Sequence, residues 1–286
     1  MIRRPPRSTR KESSAASDVY KRQRLHLRYA PWGKSALRFS IGRGKRAANI
    51  FAENQRLFAS NRAINIQNNN GLVYGLDPEI AWNYGLSLLQ GFNLFERKAD
   101  ILIDFYRTDF KNQVVVDYET PTEINFYNLR GDSYANSLQL EFNYNPFNNL
   151  NFKTAFKHYD VKTRYNSGEL QKPLTPRQLF FANLSYELIT AKNPGSWKFD
   201  ATYNCMGSQR FPSTAQNPQA FQLAVNSPSF STLNAQITKV FSNQFEVYFG
   251  GENITNYSQK NPILGAENPF GSNFDSTFVY LSLIHI

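Results

Sequence analysis

The sequence predicts an all-β chain, an antiparallel up-and-down sheet of the transmembrane-barrel kind with about ten strands. Three observations carry this expectation. Apolar and polar residues alternate with period two in segment after segment, the pattern of strands whose two faces meet different surroundings. Connections between the segments run short, long, short, long, so tight turns gather at one end and long loops at the other. The apolar face of these segments is almost free of charge, and a charge there would cost ~2–4 kcal/mol near a bilayer midplane.

Taken in order, Leu25, Leu27 and Tyr29 alternate with His26 and Arg28, and Leu37, Phe39 and Ile41 with Arg38 and Ser40. Trp82, Tyr84, Leu86 and Leu88 oppose Asn83, Gly85 and Ser87; Ile101, Ile103 and Phe105 oppose Asp100, Asp104 and Tyr106. Leu138, Leu140, Phe142 and Tyr144 oppose Gln139, Glu141 and Asn143, and Leu150, Phe152 and Phe156 oppose Lys153 and Lys157. The pattern continues with Phe180, Ala182, Leu184 and Tyr186, then with Trp197, Phe199, Ala201 and Tyr203. Leu233, Ala235 and Ile237 come next, and Phe245, Val247 and Phe249 close the series against Glu246, Tyr248 and Glu252. Short turns are expected at Gly33 and Lys34, Glu96 and Arg97, Pro146 to Asn149, Ala191 to Gly195, and Ser242 and Asn243; the long connections are expected over 43–80, 109–135, 161–177, 206–230 and 255–275. A soluble sandwich mixes connection lengths at both ends, so this polarity argues against one. Aromatic residues fall near both ends of the strands, Trp32, Phe147 and Trp197 at the short turns and Trp82, Tyr84 and Tyr203 at the long loops, as two interfacial girdles would require. Lys239 breaks the apolar face close to a turn, where a snorkelling side chain costs little.

Composition excludes other classes. No window holds the ~18 consecutive apolar residues of a spanning helix. An aromatic share of 15% is too high for a disordered chain. The single Cys205 excludes an intramolecular disulfide and a cysteine zinc site, and His26, His158 and His285 lie too far apart for a short metal motif. The net charge of +10 is uneven, since residues 1–23 carry seven Lys/Arg against two acids. It therefore gives no reason to expect a nucleic-acid partner. The leader 1–23 has no apolar stretch of signal-peptide type. Its wording, and that of the closing "LSLIHI", is similar to translated sequencing-adapter read-through; 1–23 and 281–286 are expected to be non-native, with 24–280 the interpretable domain.

The segment "LRFSIGRGKRAANIFAENQRLFASNR", beginning at Leu37, resembles the barrel of TonB-dependent outer-membrane receptors, Bacteroidetes type, in which strands end in G-x-G-x-R-x-A-N followed by E-N. Five further segments follow in the order of such receptors, among them "LDPEIAWNYGLSLLQGF", "LQLEFNYNPFNNLNFKTAFKHYDVKT" and "FGGENITNYSQKNPILGAENPFGSNFDSTFVY". The resemblance implies an incomplete barrel, about ten strands from the C-terminal part of an about 22-stranded wall. It implies energised uptake of a scarce nutrient, a ferric siderophore or similar chelate foremost, in the bacterial outer membrane. Implied partners are outer-membrane lipid, the small-molecule nutrient or metal chelate, and the TonB complex, reached through a plug domain expected to be absent from this chain. No enzymatic activity, cofactor or protein-bound metal is implied. A passive porin or adhesin barrel and a soluble β-rich binding module are the competing readings.

Candidate site residues follow from the same reading. "GRGK" at Gly42–Lys45 lacks the spacing and the Ser/Thr of a phosphate loop. Arg43, Arg46, Glu53 and Asn54 are instead expected to order a long external loop and to touch an anionic ligand there. Arg38, Asp104, Glu141, Lys153, Asp200 and Glu252 are expected to face the lumen, paired with one another or with a plug, because an unpaired buried carboxylate is costly. No Ser/His/Asp constellation supports catalysis.

Overall fold

The computed structural model describes residues 23–131, 133–165, 168–189 and 195–281. The leader up to residue 22, the tail 282–286 and the short connection 190–194 lie outside the described residues.

Alternation becomes strand wherever it occurs. The first hairpin joins β1 (Gln23–Tyr29) to β2 (Ser35–Arg46). A short helix α1 (Ile50–Glu53), a 3-10 turn (Gln55–Phe58) and β3 (Ala63–Ile66) then fill the first long connection. β4 (Glu79–Leu94) and β5 (Arg97–Lys111) form the next hairpin, followed by the short strands β6 (Val114–Asp117) and β7 (Glu123–Asn128). β8 (Ser133–Phe147) and β9 (Leu150–Tyr165) make the third hairpin, and β10 (Gly168–Gln171) folds back onto the end of β9. β11 (Gln178–Ile189) and β12 (Ser196–Met206), then β13 (Phe230–Ser242) and β14 (Phe245–Gly251), complete the chain's strands.

The ten long strands pair antiparallel in the order β1-β2-β4-β5-β8-β9-β11-β12-β13-β14, an open up-and-down sheet that forms part of a barrel. Register keeps the two faces distinct along the middle of the strands. Leu37, Leu88, Ile103, Leu140, Phe156 and Phe180 are cross-strand neighbours in one row, and one residue along lie Arg38, Ser87, Asp104, Gln139 and Lys157. A slip by one residue would exchange the two rows, so the contrast between them fixes the register. Apolar side chains on the first face stay open, Leu86 and Leu184 at 47% exposure each. Among the described residues no second layer covers this apolar face, in contrast to the packed inner faces of a sandwich.

Turn chemistry ends the hairpins. Between β4 and β5 the turn residues are Phe95 and Glu96, φ 47° and 64°, where the sequence pointed to Glu96 and Arg97. Both adopt the left-handed conformation of a two-residue hairpin without the usual glycine. Gly85 is needed for a different reason: a Cβ there would lie 2.4 Å from Ser40 Oγ and 2.6 Å from the Tyr106 ring, which crosses it on the polar face.

The buried core is in the long connections. β7 pairs parallel with β3 and antiparallel with β6, a three-stranded sheet that the alternation did not foretell. One cluster joins Ala48, Ile50, Leu57, Leu76, Ile124 and Phe126; a second joins Val115, Tyr127, Leu129 and Tyr165; a third joins Phe211, Phe278 and Tyr280. Ile124 and Phe126 are fully buried. The connections expected as open loops thus fold into a cap with its own interior. Strands β2, β5 and β9 also run further toward this cap than the 43, 109 and 161 limits that the sequence suggested.

Candidate ligand site in the loop cap

Three polar clamps hold the cap. Arg46, the last residue of β2, donates from Nε to Glu79 Oε2 at 2.6 Å and from Nη1 to Glu53 Oε1 at 3.0 Å. The other Glu79 oxygen accepts from the Val114 N–H at 2.8 Å, so one buried carboxylate joins β2, β4 and β6. Arg210 grips Glu119 with both ends of its fork, Nη2 to Oε1 at 2.6 Å and Nη1 to Oε2 at 2.9 Å, while its Nε donates to the Gln171 carbonyl at 2.6 Å. Burial works against the Arg210 charge, but Glu119 outweighs it and raises the guanidinium above its ordinary value. Arg62 is paired with Asp275, each 4% exposed, and donates from Nε to the Pro121 carbonyl at 3.0 Å. Arg62 Nη1 is buried without a hydrogen-bond partner among the described residues, so this buried pair is only partly satisfied and depends on Asp275 all the more.

Between these clamps lies a cleft of about 460 Å³, walled by the segment from Ala52 to Leu57, by β6, by the end of β9 and by residues 172–174. Arg56 and Lys172 bring two cations and Glu53 one carboxylate; Tyr118 and Tyr165 contribute phenols. Burial, reinforced by the Glu119 charge, pushes the Tyr118 phenol up to about 12, so it remains a neutral hydrogen-bonding group. Thr277 also lines the cleft, and its Oγ1 is buried without a protein partner. The arrangement suits a polar, anionic small molecule with apolar parts, held by charge and phenolic hydrogen bonds. Among the described residues no three His, Cys, Asp or Glu side chains come together as a metal site.

The sequence-predicted residues divide. Glu53 and Asn54 line the cleft, and Arg46 adjoins it through Glu53. Asn54 also orders the loop, its Nδ2 donating to the Ile50 carbonyl at 2.8 Å. Arg43 does not join them. It lies inside β2, where it pairs with Trp82 on the apolar face, its guanidinium 5.9 Å over the indole ring. The reason is strand length: β2 continues to Arg46, and period two sends residues 43 and 46 to opposite faces.

The six residues expected to face the lumen are placed as follows. Arg38 and Asp104 flank Ser87 in one polar row and border a cleft of about 700 Å³. Glu141 and Lys153 form an ion pair at 3.4 Å, and Asp200 accepts from Asn183 Nδ2 at 2.9 Å. Glu252 follows β14 and borders a smaller cleft with Asp200 and Tyr248. Sequence reasoning missed Arg62, Glu119, Arg210, Asp275, Tyr118 and Thr277. The partners in the Arg62 and Arg210 clamps are 213 and 91 residues apart, and no local spacing signals them. The alternation of Val114 and Val116, then Ile124 and Phe126, is the trace from which the cap strands could have been found.

Residues 11–254 match the family model described as TonB dependent receptor-like, beta-barrel. Solved structures share the fold. The ferric preacinetobactin receptor BauA from Acinetobacter baumannii matches over 82% of this chain and 32% of its own, at 13% identity and TM-score 0.54. The copper transporter OprC matches over 83% and 34%, at 14% identity and TM-score 0.62. A mutant ferric enterobactin receptor PfeA from Pseudomonas aeruginosa matches over 82% and 35%, at 14% identity and TM-score 0.60. The chain spans about a third of the length of these structures. No curated protein matches it significantly.

Proposed function

The chain belongs to the TonB-dependent receptor-like β-barrel family, and from that premise we propose that it supplies part of the wall and external cap of an outer-membrane receptor for a scarce nutrient. The observation that carries this reading is a lipid-compatible wall joined to a folded loop cap that encloses a cleft with two cations and two phenols. A ferric siderophore or similar anionic chelate is the cargo class that this chemistry favours, and BauA and PfeA are receptors for ferric chelates. Glu53, Asn54, Arg56, Lys172 and Tyr118 are the proposed ligand contacts, with Arg46 positioning Glu53. Arg38, Asp104, Glu141, Lys153, Asp200 and Glu252 would line the interior, where a plug coupled to the TonB complex would meet them. Lipid would cover the apolar face. The activity is capture and passage rather than catalysis.

The test uses the full-length receptor that carries this chain, expressed in cells lacking their own receptor for one labelled ferric chelate. Recovery in the outer-membrane fraction and uptake that requires TonB are the expected results. Arg56→Ala combined with Lys172→Ala should weaken chelate binding by about tenfold, as expected for the loss of two charge-assisted contacts, at unchanged membrane yield. Uptake indifferent to TonB would replace the reading with a passive channel. Recovery of the receptor in the soluble fraction would end it.

A further inference from the structure

The polar face of the wall holds a trough that leads away from the cap. Even positions of β2 put Arg38, Ser40, Gly42, Gly44 and Arg46 in one column on this face, and Arg46 belongs to the clamp at the cap. Beside the first four on β4 stand their cross-strand partners Ser87, Gly85, Asn83 and Ala81. The floor between Arg38 and Arg46 is therefore built mostly from small side chains, and a cleft of about 700 Å³ lies over it. Arg24, His26 and Arg28 of β1 form one bank, and Asp104, Tyr106 and Thr108 of β5 form the other.

Charge on the two banks is unequal. Arg28 and Arg38 are direct cross-strand partners on this face, about 5 Å apart at Cα, and like charges set opposite each other are destabilising. Arg24 stands about 13 Å nearer the cap at the rise of a strand. Its stem leans over the trough, since a Cβ on Gly42 would lie 3.4 Å from Arg24 Cγ. Among the described residues none of these three arginines has an ion-pair partner, and Asp104 is the one carboxylate lining the cleft. Elsewhere on the same face the wall pairs its own charges, as Lys153 does with Glu141 at 3.4 Å.

We propose that this trough is a second, weaker oxyanion site, which a carboxylate-bearing ligand meets on leaving the cap: Arg28 and Arg38 take its oxygens between them, and Arg24 holds it at the cap end. The inference rests on the receptor reading above and goes beyond it, since capture in the cap requires no binding group on the interior wall. A guanidinium fork is shaped for a planar carboxylate, and an anion seated between Arg28 and Arg38 replaces their repulsion by two attractions. All three arginines are exposed, so each contact is modest, and passage requires a site that is left as readily as it is entered.

The experiment uses the full-length receptor in detergent with Arg56→Ala and Lys172→Ala, which remove the cations of the cap cleft, and equilibrium dialysis with radiolabelled citrate reads what remains. One site should be left, its Kd rising about tenfold in Arg28→Gln combined with Arg38→Gln, as expected for the loss of two charge-assisted contacts. A charge-matched control on the same face, Lys98→Gln with Lys157→Gln, should keep the Kd unchanged. The arginine variant should retain its heat-resistant barrel, because it relieves a like-charge contact. Arg38→Lys, which keeps the charge and loses the fork, should give an intermediate Kd, and it carries the test where the double variant fails to assemble. An equal loss in the control, or full displacement of citrate by chloride at equal ionic strength, reduces the site to diffuse attraction and overturns the inference. Hydrogen exchange that shows the arginine variant loosening the plug assigns the trough to a plug carboxylate and overturns it as well. Absence of citrate binding after the cap substitutions overturns this inference alone, because TonB-dependent uptake by the unsubstituted receptor tests the receptor reading separately.

Discussion

The wall and the cap are made from the same chain by opposite means. In the wall, Leu86 and Leu184 stand half open on a single-layer sheet, and order comes from a continuous succession of paired strands, with register shifts only close to the turns at Val240–Ser242 and Tyr144–Phe147. In the cap, Ile124, Phe126 and Phe278 are almost wholly buried, strands are four to six residues long, and buried charge pairs bridge segments remote in sequence. A wall strand can thus rely on its neighbours and its solvent alone. A cap segment depends on tertiary contacts, because strands so short are not stable by themselves.

The largest effect that would sharpen this contrast is expected from Asp275→Ala, which leaves the Arg62 guanidinium buried without its partner. Breaking a buried pair from one side costs about 3–5 kcal/mol. Hydrogen exchange on the receptor in a bilayer should show the cap amides of 59–66 and 120–128 losing protection while those of β8 and β9 keep theirs. Equal loosening of the wall would break the distinction.

Matched truncations come next. Ile124→Ala should destabilise the cap by about 2–5 kcal/mol through the cavity it opens, whereas Leu86→Ala, on an open face, opens no cavity and should cost under about 1 kcal/mol. Chemical denaturation followed by cap proteolysis measures the first, and loss of the heat-resistant barrel on electrophoresis measures the second. Comparable costs would mean that the wall face is packed as tightly as the cap.

Alkaline titration offers a third comparison. The folded cap raises the Tyr118 phenol from 10 to about 12, so it disfavours the phenolate. Stabilisation from this group is therefore complete below pH ~10 and is lost as pH rises through ~12. Cap proteolysis should set in across that window and be delayed by Tyr118→Phe, which removes the titrating phenol. Gly85→Ala should cost about 1–3 kcal/mol of overpacking, more than Leu86→Ala, as Ser40 and Tyr106 are pushed from their places around the glycine. A Tyr106→Ala change made with it should recover the part of that loss that comes from the ring, leaving the contact with Ser40 Oγ.

Most of the wall was legible because one variable, residue parity, decides both pairing and facing. Leu37, Leu88 and Ile103 share a row as their alternation implies, and Asp104, Glu141 and Asp200 fall on the other face. Strand ends were harder to read, because polar residues beyond the apolar band still pair; Arg43 belongs to β2 for that reason. The cap was opaque. Its clusters gather residues as distant as Leu174, Phe211 and Phe278, and its clamps join charges with no relation in spacing. Only Arg46, Glu53 and Asn54, at or close to the end of β2, could be found by reading along the chain.

Glu79 gives the two regions a common joint. One oxygen is held by the last side chain of β2 and the other by the first backbone amide of β6. A displacement of the cap sheet is therefore delivered as tension at the root of two neighbouring staves, and the cap is tied to the wall as a truss is tied to its posts.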